Sequence, residues 1–242
     1  MALFDLILVG RGSFLYRSAM HAVGRGLRVA AFVAGAPQAA SPLDRLPVAV
    51  LGSGNPNDAQ SAWSSVPRIT PIVCTNNPYI LEDHFLEVFH NTFNIHSSDV
   101  RDNRGLAQLC MLHSMLSGST RGGATVQKLQ IGAEVDASPT LCIRPVRWTN
   151  DSSFSSIFGL ASGAWLQAFG EVLAHLERGD ECQSTPLDYG PEISVELLRS
   201  LVSDEGAYSL ALHRWGLGQY SRFFPKTSTL VADFQKFWSA TF

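Results

Sequence analysis

Two polar side chains with catalytic potential, the amide of Asn94 and the imidazole of His96, are separated by a single apolar residue. We expect residues 91–96 to form a strand, in which side chains alternate, so these two share one face while Phe93 and Ile95 point to the other. Open parallel sheets bind their ligands at the carboxyl ends of the strands. The pair is therefore a candidate reacting centre. On these residues alone, a satisfied core asparagine and histidine is the alternative.

A second candidate site is the turn Gly10-Arg11-Gly12-Ser13, which follows the apolar run 6–9. Backbone N–H groups at the start of a helix that follows a strand form a natural anion site. The turn is not a complete G-x-G-x-x-G motif, because Leu15 stands where the third glycine is needed. Two interpretations stay open, namely binding of an acceptor or its phosphate and a plain strand-to-helix connection.

The elements that must position these residues follow from the apolar pattern. Short apolar runs without polar alternation are typical of buried parallel strands, and the stretches between them indicate crossover connections. The pattern predicts a Rossmann-like, doubly wound α/β fold, with a mostly parallel sheet and helices on both faces. The expected strands are 6–9, 27–33, 47–51, 69–74, 91–96, 125–130 and 140–146, and the expected helices include 14–23, 58–63 and 106–117.

Three ordered segments resemble motifs of the folate-dependent formyltransferases. Residues 94–105, Asn-Ile-His-Ser-Ser-Asp-Val-Arg-Asp-Asn-Arg-Gly, align without a gap with the signature Asn-Ile-His-Pro-Ser-Leu-Leu-Pro-x-x-Arg/Lys-Gly. Upstream, residues 79–81, Tyr-Ile-Leu, are similar to the x-Ile-Leu-Pro segment that lines the pterin pocket. Downstream, residues 123–126 and 135–139 resemble Gly-x-Thr-Val-His and Leu/Val-Asp-x-Gly-Pro.

The resemblance covers residues 1–180, which we expect to be the formyltransferase catalytic domain. A helix is predicted over 154–176, where apolar residues recur at three- and four-residue steps, and its aromatic stripe is expected to pack on the sheet. Residues 181–242 are left as a small C-terminal extension of helix and loop, with helices indicated at 194–202 and 229–238.

By this resemblance, Asn94, His96 and Asp136 form the reacting centre of an N-formyltransferase that uses 10-formyltetrahydrofolate. Attack of an amine on the N10-formyl group gives a tetrahedral oxyanion, and one positioned amide donor typically contributes about 2.7–4 kcal/mol to its stabilisation. An imidazole titrates near the working pH, so His96 can stabilise the oxyanion or handle the amine's proton. The resemblance assigns Asp136 to holding a water and the imidazole in position, and to relaying a proton to the departing folate nitrogen.

The resemblance also implies binding residues around this centre. Segments that act largely through backbone groups are expected to surround the pterin, and they are Tyr79, Ile80, Leu81, Ile131, Gly132, Ala133, Glu134 and Val135. The turn after the first strand and two residues near His96 are expected to contact the acceptor, and they are Gly10, Gly12, Ser13, Ser98 and Arg104. No metal is expected, because no histidine pair has carboxylate or cysteine partners at a metal-ligand spacing.

Several departures from the family's pattern bear on the acceptor. Ser97 replaces Pro, residues 99–101 replace Leu-Leu-Pro, Gln127 replaces a common His, and Ser138 replaces Gly. These changes alter the walls of the expected site and leave its three central residues in place. Residues 181–242 are too few for a tRNA-binding domain, and a glycinamide-ribotide enzyme would be closer to its signature. We therefore expect a small amine acceptor, namely an amino sugar, an amino acid or a natural-product intermediate.

Other classes of protein stay open as alternatives. Formyltetrahydrofolate deformylases, which are hydrolases, use the same three residue types with water as the acceptor. A non-catalytic relative that only binds folate would keep the same fold. A Rossmann dehydrogenase rests on the incomplete glycine motif alone and is the weakest of the four readings.

Composition limits the remaining possibilities. The net charge of −3 and the isoelectric point near 6.1 argue against a protein that mainly grips nucleic-acid phosphates. The cysteines have neither metal-ligand nor disulfide-framework spacing, and the N-terminus lacks the basic region of a signal peptide. We expect a cytoplasmic protein with no membrane-spanning run of 18 apolar residues. Aromatic residues near the C-terminus could form a homodimer surface or cover the domain's own core.

Overall fold

The first strand, β1 (Leu6–Gly10), is buried over its whole length, as its uninterrupted apolar run predicts. It pairs in parallel with β2 (Val29–Ala34) on one side and with β4 (Ile72–Thr75) on the other. Beyond these lie β3 (Val48–Gly54) and β5 (Thr92–His96), also parallel to their neighbours. The structure is a computed structural model that describes residues 4–36, 42–149, 152, 154–179, 187–194 and 197.

Two further strands and five α-helices occur in the described residues. The strands are β6 (Arg121–Lys128) and β7 (Thr140–Arg147). They run antiparallel, since the Lys128 N–H donates to the Pro139 carbonyl and the Trp148 N–H to the Thr120 carbonyl, each at 2.9 Å. The helices are α1 (Gly12–Gly24), α2 (Gln60–Trp63), α3 (Asp83–Val88), α4 (Ala107–Leu116) and α5 (Phe154–Arg178).

The order of the strands places a switch point at β1. The sheet reads β3-β2-β1-β4-β5-β6-β7, so the chain moves outward from β1 to β3 and then returns to the other side of β1 with β4. In such a sheet a crevice opens at the carboxyl ends of the two strands that flank the reversal. The predicted Rossmann-like, mostly parallel α/β fold is confirmed.

Residue contacts divide the chain into two compact units, of which the first comprises 1–95, 126–142 and 168–186. One face of its sheet is covered by an aromatic cluster around Trp63, which stacks on Phe32 at 5.1 Å and meets Phe85 edge-on at 5.2 Å between ring centroids. On the other face, Phe93 of β5 contacts His175 of α5 at 5.7 Å. Helices therefore cover both faces of this unit's sheet, as predicted.

The second unit comprises 96–125, 143–167 and 187–242. Its described core includes Met115 of α4 and Trp165 of α5, both fully buried. By length and composition alone, Ser156–Arg178 of α5 is the one described helix segment that could cross a membrane, and 44% of its most apolar stretch is buried. The apolar core helix of an ordinary globular protein meets the same test.

The observed elements differ from the prediction at glycines inside a strand and at a short helix. β6 begins at Arg121, four residues before the predicted start, because Gly122 and Gly123 belong to the strand rather than to a turn. A Cβ on Gly123 would lie 2.7 Å from the Arg144 carbonyl, so glycine allows the two strands to approach. The helix α3 was not predicted, since its six residues are too few for a periodic signal. The predicted helices 194–202 and 229–238 lie outside the described residues, apart from isolated positions.

Gly10 permits β1 and β4 to meet at their carboxyl ends, and we expect Gly10→Ala to destabilise the protein. An added Cβ would overlap the backbone carbonyl of Thr75, and such overpacking costs about 1–3 kcal/mol. Gly159→Ala is the matched control, since this exposed position in α5 has no atom near an added Cβ and should gain about 0.5–1 kcal/mol. Urea denaturation measures both, and equal midpoints for the two variants would contradict the packing argument.

Candidate active site

Asn94 and Asp136 meet at the carboxyl end of β5. The Asn94 amide Nδ2 donates to Oδ1 of Asp136 at 3.3 Å, and both side chains are half-buried. The two residues lie 42 positions apart in the chain and belong to the first unit. Strand register places Asn94 beside Cys74 of β4 on the face that carries the aromatic cluster. A hydrogen-bond donor and a carboxylate are thus brought together where an open sheet binds ligands.

Asp136 adopts a backbone conformation that side chains with a Cβ usually avoid. Its φ is +52°, and among the described non-glycine residues only Asn76 shares a positive φ. The loop that carries it is held from β6, because Nε2 of the buried Gln127 donates to the Ser138 carbonyl at 3.1 Å. The other amide atom of Gln127, Oε1, has no hydrogen-bond partner among the described residues. Left-handed backbone at a polar residue is frequently found at functional sites.

His96 ends β5 and lies in the second unit, where only 5% of its surface is exposed. Its Nε2 contacts the thiol of Cys110 on α4, with 3.9 Å between nitrogen and sulfur. Because strand side chains alternate, His96 projects from β5 on the same face as Asn94, as the sequence predicts. The imidazole is therefore held in a largely dehydrated surrounding.

The loop after His96 is fixed by polar contacts instead of the prolines of the family's motif. The Thr125 hydroxyl donates to the Ser98 carbonyl at 2.8 Å and accepts from the Val100 N–H at 3.3 Å. The buried Ser98 hydroxyl donates to the side chain of Asn103, whose Nδ2 in turn donates to Ser114 at 3.0 Å. Ser98, a predicted acceptor contact, is therefore engaged in holding its own loop.

An ion pair occupies the positions at which the family's motif has Leu-Leu-Pro. Asp99 is buried, and both of its carboxylate oxygens accept from the half-exposed guanidinium of Arg101, at 2.9 and 2.6 Å. The hydrogen bond to Asp99 raises the pKa of Arg101, so this guanidinium stays charged throughout the neutral range. The ion pair links two residues of the loop that are separated by one position. It also gives the buried Asp99 carboxylate a partner, which water would otherwise have to supply.

A segment of the C-terminal extension, 187–194, packs against the same loop. The Arg104 N–H and Nε donate to the carbonyls of Pro191 and Gly190, each at 2.9 Å, and its guanidinium lies 5.9 Å from the ring centre of Tyr189. The Ile193 N–H donates back to the Arg104 carbonyl at 2.9 Å. Arg104, the second predicted acceptor contact, thus joins the extension to the loop that follows His96.

The two segments predicted to surround the pterin lie together in the first unit. Gly132 donates its N–H to the Asp83 carboxylate at 3.2 Å, which links the loop 131–135 to the residues that follow 79–81. Leu81 is buried in the aromatic cluster, whereas Tyr79 is 36% and Ile80 69% exposed. In the loop, Ile131 and Val135 are also exposed. The structure thus groups apolar side chains at the surface, a feature common at ligand sites.

The turn after β1 has the backbone geometry of an anion site. Gly12 begins α1 with φ +64°, and Arg11 precedes it in extended conformation without a side-chain cap on the helix N–H groups. Ser13 is exposed in the first turn, which holds no acidic residue. Gly10 is buried against Thr75, where the absence of a Cβ lets the two strands approach. Within the described residues, the N-terminus of α1 lacks a side-chain cap, a feature that suits an anion.

Burial shifts the pKa values of two described side chains, Cys74 and His113. Burial raises the pKa of Cys74, the register neighbour of Asn94, to about 12, so this thiol does not form a nucleophilic thiolate at neutral pH. Burial lowers the pKa of His113 on α4, which keeps that imidazole neutral. Among the described residues, no group of three or more His, Cys, Asp and Glu side chains could hold a metal ion.

Sequence reasoning missed residues that hold the site together from a distance. Thr125 and Asp83 bond to loops 25 or more positions away, and no local pattern indicates such partners. The Asn77 side chain bonds to both backbone groups of Tyr79. Its Oδ1 accepts from the Tyr79 N–H at 3.2 Å, and its Nδ2 donates to the Tyr79 carbonyl at 2.9 Å. Only this last contact has a local signal, since asparagine commonly forms such turns with the residue two positions on.

Comparison with known proteins identifies the fold. No protein-family model matches the chain, and no curated protein matches it in sequence. An N-formyltransferase from Helicobacter canadensis, solved with folinic acid and dTDP-3-aminofucose, is similar with a TM-score of 0.63 and 10% identity over 81% of this chain and 72% of that one. A sugar N-formyltransferase from a Shewanella species has a TM-score of 0.64 and 13% identity over 81% and 78%.

A third solved structure extends the match over more of both chains. The formyltransferase from Anoxybacillus kamchatkensis, in complex with a UDP-linked formamido sugar and tetrahydrofolate, has a TM-score of 0.58 and 15% identity, covering 87% of this chain and 93% of that one. Identities this low establish a shared fold. The chain thus has the Rossmann-like fold of the folate-dependent formyltransferases, which confirms the fold that the sequence motifs implied.

The positive φ of Asp136 predicts an unusual order of stability among its variants. Asp136→Gly relieves the left-handed strain, whereas Asp136→Ala keeps a Cβ and also loses the contact with Asn94. The glycine variant should be more stable than the alanine variant by about 1 kcal/mol. Chemical denaturation checks this, with the same pair of substitutions at Asn76 as the control. An alanine variant at least as stable as the glycine one would disprove the assigned strain.

Proposed function

We propose that this chain transfers the formyl group of 10-formyltetrahydrofolate to the amine of a small molecule, with an amino sugar as the favoured acceptor. The observation that carries the proposal is the contact between Asn94 and Asp136, with His96 two residues further along the same strand. In the resembling family, these three residue types in this arrangement form the reacting centre. The shared fold of solved sugar N-formyltransferases supports the same activity.

The three side chains suit the successive charges of formyl transfer. The amine attacks the formyl carbon, and the carbonyl electrons move to the oxygen, which Asn94 stabilises through its amide N–H. The amine then loses a proton, the oxyanion re-forms the carbonyl, and the bond from carbon to N10 breaks as N10 takes up a proton. His96 and Asp136 together carry these proton transfers, because imidazoles and carboxylates are the side chains that most often act as general acids and bases.

The donor fits the exposed apolar surface of the first unit. Tyr79, Ile80, Ile131 and Val135 offer apolar contact to a flat pterin, and the linked backbone of the two segments offers N–H and C=O groups to its edge. Leu81, which is buried, anchors one segment in the core. Gly132, Ala133 and Glu134 complete the second segment, whose left-handed glycine lets the loop turn tightly.

The acceptor is assigned from two independent features. The N-terminus of α1, with Gly12 and Ser13, suits a phosphate, and the comparable enzymes were solved with dTDP- or UDP-linked sugars. Ser98 and Arg104, which hold the loop after His96, stay predicted contacts of this acceptor. A nucleotide-linked amino sugar, formylated in the cytoplasm during biosynthesis, meets both requirements.

The experiment that tests this function follows the release of tetrahydrofolate from 10-formyltetrahydrofolate, with and without a panel of amines that includes nucleotide-linked amino sugars. Release that requires an amine, together with a formylated product, is the expected result. Release without any amine would replace the proposal with a deformylase. Folate binding without release would replace it with a non-catalytic relative.

His96→Ala should lower turnover at least about 100-fold while the protein stays folded, since a positioned acid or base typically contributes 10²–10⁴-fold. His90→Ala is the matched control, because His90 is exposed and lies outside the site. Steady-state kinetics and circular dichroism measure both variants. A His96→Ala enzyme that turns over within threefold of the wild type would defeat the assignment.

A further inference from the structure

A buried asparagine outside the family's motifs holds one of the two segments assigned to the pterin. Asn57 lies in the short 3₁₀ turn Pro56–Asp58 between β3 and α2, and 7% of its surface is exposed. Neither composition nor spacing in the sequence singles it out, and its contacts lie 23 and 25 positions further along the chain. Its burial therefore needs a structural explanation, since asparagine is mostly found at the surface.

Both ends of the Asn57 carboxamide bond to the backbone on either side of Leu81. Nδ2 donates to the Ile80 carbonyl at 2.8 Å, and Oδ1 accepts from the Glu82 N–H at 3.0 Å. This pairing needs a donor and an acceptor on one short side chain, which aspartate and leucine lack. The carboxamide thus bonds to two backbone groups of residues 79–82, which are not part of a strand.

The carboxamide determines which way the side chains of this segment point. Because residues 80 and 82 are bound through their backbone, Leu81 turns into the aromatic cluster while Ile80 stays exposed. The Asn57 carbonyl also lies 3.2 Å from Nε2 of His84 in α3. Asp83, the residue after Glu82, accepts a hydrogen bond from the Gly132 N–H. The position of the loop 131–135, the second segment assigned to the pterin, therefore depends on the same contacts.

We propose that Asn57 is a positioning residue of the folate pocket. Its carboxamide fixes the exposed face of residues 79–82 for the pterin. The inference rests on the proposed function, because it assigns a role within that function's donor site. Removing the carboxamide would leave the Ile80 carbonyl and the Glu82 N–H without their partner, and the segment would shift to bond with water instead. A pocket that must be reordered on binding loses affinity, while the hydrogen bond between Asn94 and Asp136, which does not involve Asn57, is kept.

The turn itself offers a matched control. Asn55 holds the turn through Oδ1, which accepts from the Asn57 N–H at 3.2 Å, and through Nδ2, which donates to Asp58 at 2.8 Å. Among the described residues, its side-chain hydrogen bonds stay within the turn and do not reach residues 79–82, so Asn55→Ala weakens the turn without removing the carboxamide. Asn57→Asp keeps the shape and the acceptor oxygen but loses the donor, and Asn57→Ala loses both.

The test measures binding of folinic acid by calorimetry and the kinetics of formyl transfer in the full chain. Asn57→Ala and Asn57→Asp should weaken folinic acid binding and raise KM for 10-formyltetrahydrofolate about tenfold, with kcat within threefold of the wild type. Asn55→Ala should leave both constants within twofold. Unchanged binding in the Asn57 variants, or an equal loss in Asn55→Ala, would overturn the inference and leave the proposed function intact.

A wild-type protein that does not bind folinic acid would overturn the proposed function and this inference with it. Should the Asn57 variants fail to fold, hydrogen exchange in the wild type decides the question. The Glu82 amide should be protected in the free protein, and its protection should rise when folinic acid binds. An unprotected Glu82 amide, or one whose protection folinic acid does not change, would also overturn the positioning role.

Discussion

The burial of both faces of β1 is the constraint on which the rest of the structure depends. A strand with no polar alternation must be paired on both edges and covered on both faces, since a backbone group left unpaired in the interior is costly. β2 and β4 satisfy its edges, and this double pairing creates the switch point in strand order. The carboxyl ends of the central strands are then the places where the chain can leave the sheet and present polar side chains. The turn at Gly12 and the residues Asn94 and His96 all occupy such ends.

Much of this arrangement could be predicted from local pattern, because parallel strands and long amphipathic helices have short-range signals. The alternation that put Asn94 and His96 on one face depends only on strand geometry. The partners of the site residues could not be predicted in the same way. Thr125 reaches Ser98 and Asn57 reaches Ile80 across more than twenty positions. A single sequence carries no local trace of such pairs, and contact between them is a property of the folded chain.

The predicted acceptor residues illustrate the same limit. Ser98 and Arg104 have the right chemistry for a polar ligand, and spacing alone cannot tell whether a hydroxyl or a guanidinium faces outward. In the structure the Ser98 hydroxyl bonds to Asn103 of its own loop, and Arg104 bonds to Gly190 of the extension. The family's motif stiffens this loop with prolines, which restrict the unfolded chain. Here hydrogen bonds and the Asp99–Arg101 pair act on the folded state instead, so the loop can keep its shape with a different sequence.

The left-handed backbone of Asp136 also limits how this position can change during evolution. Asparagine and glycine tolerate a φ of +52° as well as aspartate does, whereas most other residues do not. Substitutions that survive selection for folding at this position are therefore the ones that remove the carboxylate and leave the loop in place. The backbone that holds this carboxylate therefore admits its loss in a single substitution, at little cost to the folded loop.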